Sequence, residues 1–550
     1  MSMSKNIARL AVTAGLTAAL SFGGVMAPVT MAFAAEGGNS ITITQAENNG
    51  ATKFKAYQIF TADVVDGESG KVASNVEWAS DKAETAVLGV LKKEKAEGIS
   101  DNSTAQEVAD YLTKTIADTS STTVVMKDDL LNKIALAVEK AVTPTGDAFD
   151  AGLPFTAKSN GYYLFMTDTT SIGTKDNFDG QKQTGTSPIF AVVGGSAVKV
   201  AEKTDIPTVE KKIKDDKSKS TWADKGDSQM GQNVEYQLTG TVAKNVDTFD
   251  TYYYQFHDEL SAGLTADEDS VKVTVDGTKI AADKYGVAYD QENGKNLLRV
   301  TFDDLKSSGA TVTSNSKVVV TYTAKLDSTK ADKVVVGGEG NSNSVKLIYS
   351  NNPGHDTKGE SVPDTVRDYT YALKLVKEDS AEEKTKLEGV EFTIQATDPD
   401  DSASKGKYVQ ENGSLGDNEY KFTTDANGEI NVKGLDAGAY TVKETKALDG
   451  YNTLPEFTFT ITATGLDKAE GVGDNALSVT TSKDGSELVE TPSFADGTVT
   501  LTVKNKKGTG LPLTGLNGVT FTWIAGGAVL CIGVAHLIRS RKQAEESEQE

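Results

Sequence analysis

Tyr369-Thr370-Tyr371-Ala372-Leu373-Lys374-Leu375-Val376-Lys377 alternates large apolar residues with smaller or polar ones and closes on a charge. In an extended strand successive side chains leave opposite faces, so residues of one parity share a face. Tyr369, Tyr371, Leu373, Leu375 and Lys377 have one parity, which points Lys377 at a core while Lys374 faces out. Two later stretches repeat the anomaly. In Tyr440-Thr441-Val442-Lys443-Glu444 the apolar parity includes Glu444, and in the closing strand Leu501, Val503 and Asn505 share a face. A buried charge without a partner is very unfavourable, because nothing replaces the water it loses. The lysine, the glutamate and the asparagine are therefore expected to meet.

Their meeting permits chemistry. Burial disfavours the ammonium and the carboxylate, so it lowers the lysine pKa and raises that of the glutamate. A neutral Lys377 amine can attack the side-chain amide carbon of Asn505. A protonated Glu444 would polarise the carbonyl and move protons as ammonia leaves. The product is an intramolecular isopeptide bond. Parity alone fits equally a buried salt bridge with a hydrogen-bonded asparagine.

The residues from Tyr440 to Tyr451 resemble the pilin E-box YxLxETxAPxGY, departing at Val442 and at Leu448-Asp449, where the proline is missing. Lys377-Glu378-Asp379, followed by Leu387-Glu388-Gly389-Val390-Glu391-Phe392, resembles the opening of a collagen-adhesin B-type domain. The resemblance covers most of residues 369–507 and implies that Lys377 is the bonded lysine.

The segment before it follows the same logic. Val209, Lys211 and Ile213 share a face; so do Tyr252, Tyr254, Phe256, Asp258 and Leu260; so do Asn343, Val345, Leu347 and Tyr349 in what reads as that module's last strand. Lys211, Asp258 and Asn343 resemble the second bond-forming trio of major pilins, with an aspartate as the acid. Lys212 and Asn341 are the fallback partners. Residues 36–205 offer no comparable trio.

These strands belong to a mainly β chain of three tandem immunoglobulin-like sandwiches. Residues 206–362 and 363–508 are short alternating strands with Gly, Asn and Asp turns, the pattern of sandwiches. Pro207 and Pro363 mark the linkers. Residues 36–205 add helices to their strands. Thr104-Ala105-Gln106-Glu107 is a capping box opening one helix, and a second runs from about Asp128 to Ala141. Asp398-Pro399-Asp400-Asp401 reads as an acidic surface loop without the glycine and glutamate of an EF-hand, so no metal or cofactor is expected.

The two ends set the compartment. Lys5 and Arg9 precede an apolar stretch, and Ala32-Phe33-Ala34 supplies a small-residue cleavage site, so residues 1–35 read as a secretory signal. Residues 519–538 are about 20 mostly apolar residues, enough to span a bilayer, followed by Arg539, Arg541 and Lys542. Leu511-Pro512-Leu513-Thr514-Gly515 stands just upstream. Within residues 509–550 this order resembles the LPXTG sorting signal of Gram-positive surface proteins. The resemblance implies cleavage between Thr514 and Gly515 by a sortase, which passes the threonine to an amine.

One lysine fits that amine. Val198-Lys199-Val200-Ala201-Glu202-Lys203 has the spacing of the pilin motif VxVYPK, with Ala201-Glu202 for Tyr-Pro and Gly194 where a tryptophan is common. By this resemblance Lys203 accepts the threonine of another subunit, with Lys199 as runner-up.

The chain has 550 residues and a net charge of −23, which repels nucleic acid. A single cysteine, Cys531, rules out an intrachain disulfide, and three histidines leave little for an enzyme or a metal site. Taken in order, these features resemble the shaft subunit of a sortase-assembled fimbria, of the type 2 kind in Actinomyces. That implies pilin-specific and housekeeping sortases, identical subunits, tip or minor pilins and peptidoglycan as partners, in a wall-anchored fibre supporting adhesion. A monomeric wall-anchored adhesin is the alternative.

Overall fold

A computed structural model of the chain describes residues 38–508, apart from 47–48, 68–69, 119–124, 126–128, 179, 203, 215, 217–220, 293, 382 and 467–477. The signal peptide, the sorting signal with its apolar span, and Lys203 lie outside the described residues. Among the described residues no helix is long and apolar enough to cross a membrane.

The first domain has two sheets. Ser40–Thr44 pairs antiparallel with Pro154–Thr156 and parallel with Val198–Ala201. The larger sheet runs in the order Gly70–Trp78, Lys53–Gly67, Gly161–Thr167, Ile189–Val193. Gly161–Thr167 is buried throughout because its two faces serve two cores. Tyr163 and Phe165 face the smaller sheet, whereas Tyr162, Leu164 and Met166 pack under the helices. Those helices are Asp81–Lys93, Ala105–Asp118 and Leu130–Ala141. The capping box forms as its residue types require. The Glu107 amide donates to Thr104 Oγ1 at 3.2 Å, and the Thr104 amide donates to Glu107 Oε2 at 2.7 Å.

The second domain is a sandwich. One sheet orders Trp222–Ala223, Val209–Lys214, Val234–Thr241, Lys317–Leu326, Leu264–Val275 and Thr278–Lys279. The other orders Lys225–Asp227, Asp364–Tyr369, Asn341–Ser350, Tyr254–Leu260, Lys295–Phe302 and Gly286–Glu292. Two expectations change here. Asn341–Ser350 is not the last strand, because Asp364–Tyr369 follows and pairs with it, Asn343 opposite Val366. The domain therefore runs to Tyr369 instead of ending at residue 362. The alternating run quoted first spans two sheets, and the chain changes sheet at Thr370.

In the third domain a four-stranded sheet orders Glu429–Leu435, Tyr371–Asp379, Thr498–Asn505 and Ser493–Ala495. First and last long strands are parallel neighbours, Leu375 opposite Leu501. The facing sheet centres on Glu391–Pro399, Gly438–Lys446 and Phe457–Thr464.

A strap joins the last two domains. Beyond Lys225–Asp227, the Met230 amide donates to the Gly434 carbonyl at 2.8 Å and Gln229 Nε2 donates to that of Gly413 at 2.5 Å. Gln229 Oε1 accepts from the Asp436 amide and the Tyr440 hydroxyl. Gly434, at φ +87°, leaves room for Met230, whose Cβ would lie 2.6 Å from any added Cβ.

Candidate functional site: two buried lysine–acid–asparagine trios

In the second domain the trio spans the gap between sheets. Val209–Lys214 supplies Lys211 from one sheet, and the neighbours Tyr254–Leu260 and Asn341–Ser350 supply Asp258 and Asn343 from the other. All three residues are 0% exposed. Lys211 Nζ donates to Asp258 Oδ1 and, at 2.8 Å, to Asn343 Oδ1. Loss of hydration lowers the Lys211 pKa to about 8, against the pull of Asp258. A lysine nitrogen thus lies beside an amide, buried from bulk solvent, with a carboxyl group touching it, the set that amide exchange requires.

A fourth residue completes this site. Tyr322, on Lys317–Leu326, donates to Asp258 Oδ2 at 2.7 Å and accepts from Asn343 Nδ2 at 2.8 Å and Lys211 Nζ at 3.2 Å. Its ring stacks on Tyr236, and Lys211 Nζ lies 5.5 Å from both ring centroids. Sequence reasoning missed it, although the parity of Val318, Val320, Tyr322 and Ala324 marks it as inward. The fallback residues are engaged elsewhere. Lys212 pairs with Asp224 at 2.6 Å and with Glu210 at 3.2 Å. The Asn341 side chain braces the turn at Val335.

In the third domain Lys377 and Asn505 come from parallel neighbours in one sheet, and Glu444 reaches in from Gly438–Lys446 of the other. Lys377 and Asn505 are 0% exposed and Glu444 4%. Lys377 Nζ donates to Glu444 Oε2 at 2.9 Å and to Asn505 Oδ1 at 2.6 Å, while Asn505 Nδ2 donates to Glu444 Oε1 at 2.8 Å. Burial lowers the Lys377 pKa, and the Phe392 ring lies 5.3 Å from its Nζ. Both glutamate oxygens are engaged, one on each reacting group.

The first domain arranges its buried charges differently. Glu202, buried on the parity of Val198 and Val200, accepts from the Thr52 hydroxyl, from Asn49 Nδ2 at 3.0 Å and from the Ala46 amide at 2.9 Å. Buried Lys71 donates to the carbonyls of Gly194 at 2.5 Å and Ser196 at 2.6 Å, and pairs with Asp66 at 3.0 Å. Among the described residues neither meets an asparagine in the manner of the trios. Lys199 stands exposed on Val198–Ala201.

Among the described residues, one group of carboxylates could hold a metal ion. Asp216, Asp227 and Asp436 bring oxygens within 4.8 Å of one another where the second and third domains meet. Asp227 Oδ2 accepts from the Tyr371 hydroxyl at 2.9 Å, and Asp436 Oδ1 from the Ala437 amide at 2.8 Å. Burial, then the charges of Asp227 and Asp216, raise the Asp436 pKa well above the carboxylate range.

Residues 372–475 match the family described as SpaA, prealbumin-like fold domain. The trypsin-resistant surface T6 protein of Streptococcus pyogenes is 28% identical over 317 residues, 52% of this chain. That match spans about half, 51%, of the relative's length. Among solved structures, the T6 backbone pilin of Streptococcus pyogenes aligns with a TM-score of 0.49 at 17% identity, covering 86% of this chain and 99% of that one. The full-length major pilin SpaD of Corynebacterium diphtheriae aligns at 0.46 and 17%, covering 85% and 97%. Residues 372–475 thus match a SpaA-type prealbumin-like fold domain, and about half of the chain is similar to a surface protein of a Gram-positive bacterium.

Proposed function

We propose that this chain is the shaft subunit of a cell-surface fibre, joined within and between subunits by amide bonds between side chains. The observation that carries this reading is the repetition of one arrangement. Two separate sandwiches each bring a lysine, a carboxyl group and an asparagine within hydrogen-bonding reach, buried from bulk solvent. Lys211 joins Asn343 with Asp258 as the acid, and Lys377 joins Asn505 with Glu444. Each acid acts once, on its own domain, so the chain is not a turnover enzyme. Such links take the place of the disulfides that a single cysteine forbids.

Between subunits, a pilin-specific sortase cuts after Thr514 in the motif Leu511 to Gly515 and passes the threonine to Lys203 of the next subunit. This contact is heterologous and does not close on itself, so it grows a filament. A housekeeping sortase then attaches the fibre to peptidoglycan.

Intact mass tests the internal links. A 36–508 fragment should weigh about 34 Da less than its sequence, since each amide displacement releases one ammonia of about 17 Da. A fragment at its unmodified mass overturns both bonds. Wall extracts boiled in detergent test the polymer. They should give a high-mass ladder that collapses in Lys203→Ala; a ladder persisting with both Lys203 and Lys199 replaced places the acceptor elsewhere.

A further inference from the structure

The two trios differ in one respect. Glu444 touches both reacting groups directly, one oxygen on Lys377 Nζ and the other on Asn505 Nδ2. Asp258 is one methylene shorter. Its Oδ1 receives Lys211, but its Oδ2 receives the Tyr322 hydroxyl, and it is that hydroxyl which receives Asn343 Nδ2. The path from acid to leaving nitrogen is therefore direct in the third domain and has one intermediate in the second. Tyr322 is 2% exposed, and its hydroxyl lies within 3.2 Å of the attacking nitrogen, the leaving nitrogen and the acid.

We propose that Tyr322 is a catalytic residue of the second-domain bond, relaying the proton of Asp258 to the departing nitrogen of Asn343. This rests on the bond reading given above. The ion pair first shifts one proton from Lys211 Nζ to Asp258, leaving an amine and a carboxylic acid. The amine lone pair forms the Nζ–Cγ bond to Asn343. Tyr322 then gives its proton to Nδ2 and regains one from Asp258, and the Cγ–Nδ2 bond breaks to release ammonia. The proton shed by Nζ returns to Asp258. The five protons shared by the lysine ammonium and the asparagine amide end as one on the new amide, three on ammonia and one on Asp258. No oxidant or co-reactant is needed.

The test compares the 36–508 fragment with its Tyr322→Phe variant, which keeps the ring and loses the hydroxyl. Both are synthesised in a cell-free translation system and sampled over time, so that folding starts with no bond made, and peptide mass mapping follows each bond separately. Loss of a general acid–base group slows such steps by about 10²-fold or more. The second-domain bond should slow by that factor while the Lys377–Asn505 bond forms at its usual rate. Hydrogen exchange over Val234–Thr241 and Lys317–Leu326 verifies that the variant folds. Replacing tyrosine throughout by 3-fluorotyrosine, nearly isosteric but more acidic, gives a readout that does not depend on the Phe variant folding. It should change the rate of the second-domain bond and leave unchanged the third, whose trio has Phe392 beside it. A variant that loses both ammonias as fast as the parent overturns the role of Tyr322 alone. A parent fragment that keeps its full mass overturns the bonds and this role together.

Discussion

Replacing Lys211 by alanine leaves Asp258 and Asn343 buried without their cation, and breaking a buried pair from one side costs about 3–5 kcal/mol. The link itself closes a loop of sequence separation 132, which the chain-entropy account values at about 5 kcal/mol. Asn343→Ala removes the link but keeps the Lys211–Asp258 pair, so it should lose only the second amount. Lys211→Ala should lose both, and denaturant unfolding of the 36–508 fragment measures the difference. The pH dependence of bond formation has a definite sign. The reactive form, amine plus carboxylic acid, holds as many protons as the ion pair. The rate should therefore stay flat through neutral pH and fall above about pH 8, where Lys211 releases its proton to solvent. A rate that climbs above pH 8 contradicts a protonated acid partner. In the third domain Glu444→Ala should bring the deficit from the mass of its own sequence down from about 34 Da to about 17 Da and open that domain to trypsin.

At the scale of strands, the inward side chains were legible because a period of two needs no tertiary information. Lys211, Asp258, Asn343, Lys377, Glu444 and Asn505 all follow from parity. Pairing was not legible. The alternation from Tyr369 to Lys377 runs on without a break, yet Asp364–Tyr369 pairs in one domain and Tyr371–Asp379 in the next. A local pattern shows which side is buried and not which sheet buries it. Tyr322 was passed over because an inward tyrosine is ordinary core, and only its hydroxyl's three neighbours distinguish it. The strap at Ser228 to Met230 has no periodicity, and Asp436 is far in sequence from Asp216 and Asp227. Their meeting gives a prediction. The folded chain holds a proton on Asp436 at pH values where an unfolded carboxyl, near about 3.9, has lost it. Stability therefore falls as pH rises from about 4 toward the raised value. Asp436→Asn, which can still accept from Ala437, should raise the melting temperature at pH 7 in chelator-containing buffer. The gain should vanish below about pH 4.

For the whole molecule the links define a line of force. Under the proposed linkage, a subunit held at Lys203 and at Thr514 would be pulled through its second and third domains, with residues 38–202 outside the pulled path. The lack of a trio among the described residues of the first domain fits that geometry, because an unloaded domain needs no such bond. Pulling a linked 203–514 segment in a force spectrometer should show no unfolding of residues 212–342 or 378–504, whereas Glu444→Ala should restore extension of the latter. The strand after Asn343 breaks the symmetry between the two loaded domains. In the third, the chain leaves close behind Asn505. In the second, residues 344–369 lie between the weld and the exit, held by sheet pairing, by core side chains such as Leu347 and Val366, and by hydrogen bonds of Asn351 and Glu360 to the first domain, but by no covalent link. At the reach of an extended chain they amount to roughly 80 Å of slack. With the proposed links in place, each subunit would act as a shock absorber with a hard stop, letting out one fixed length under a sudden tug before going taut.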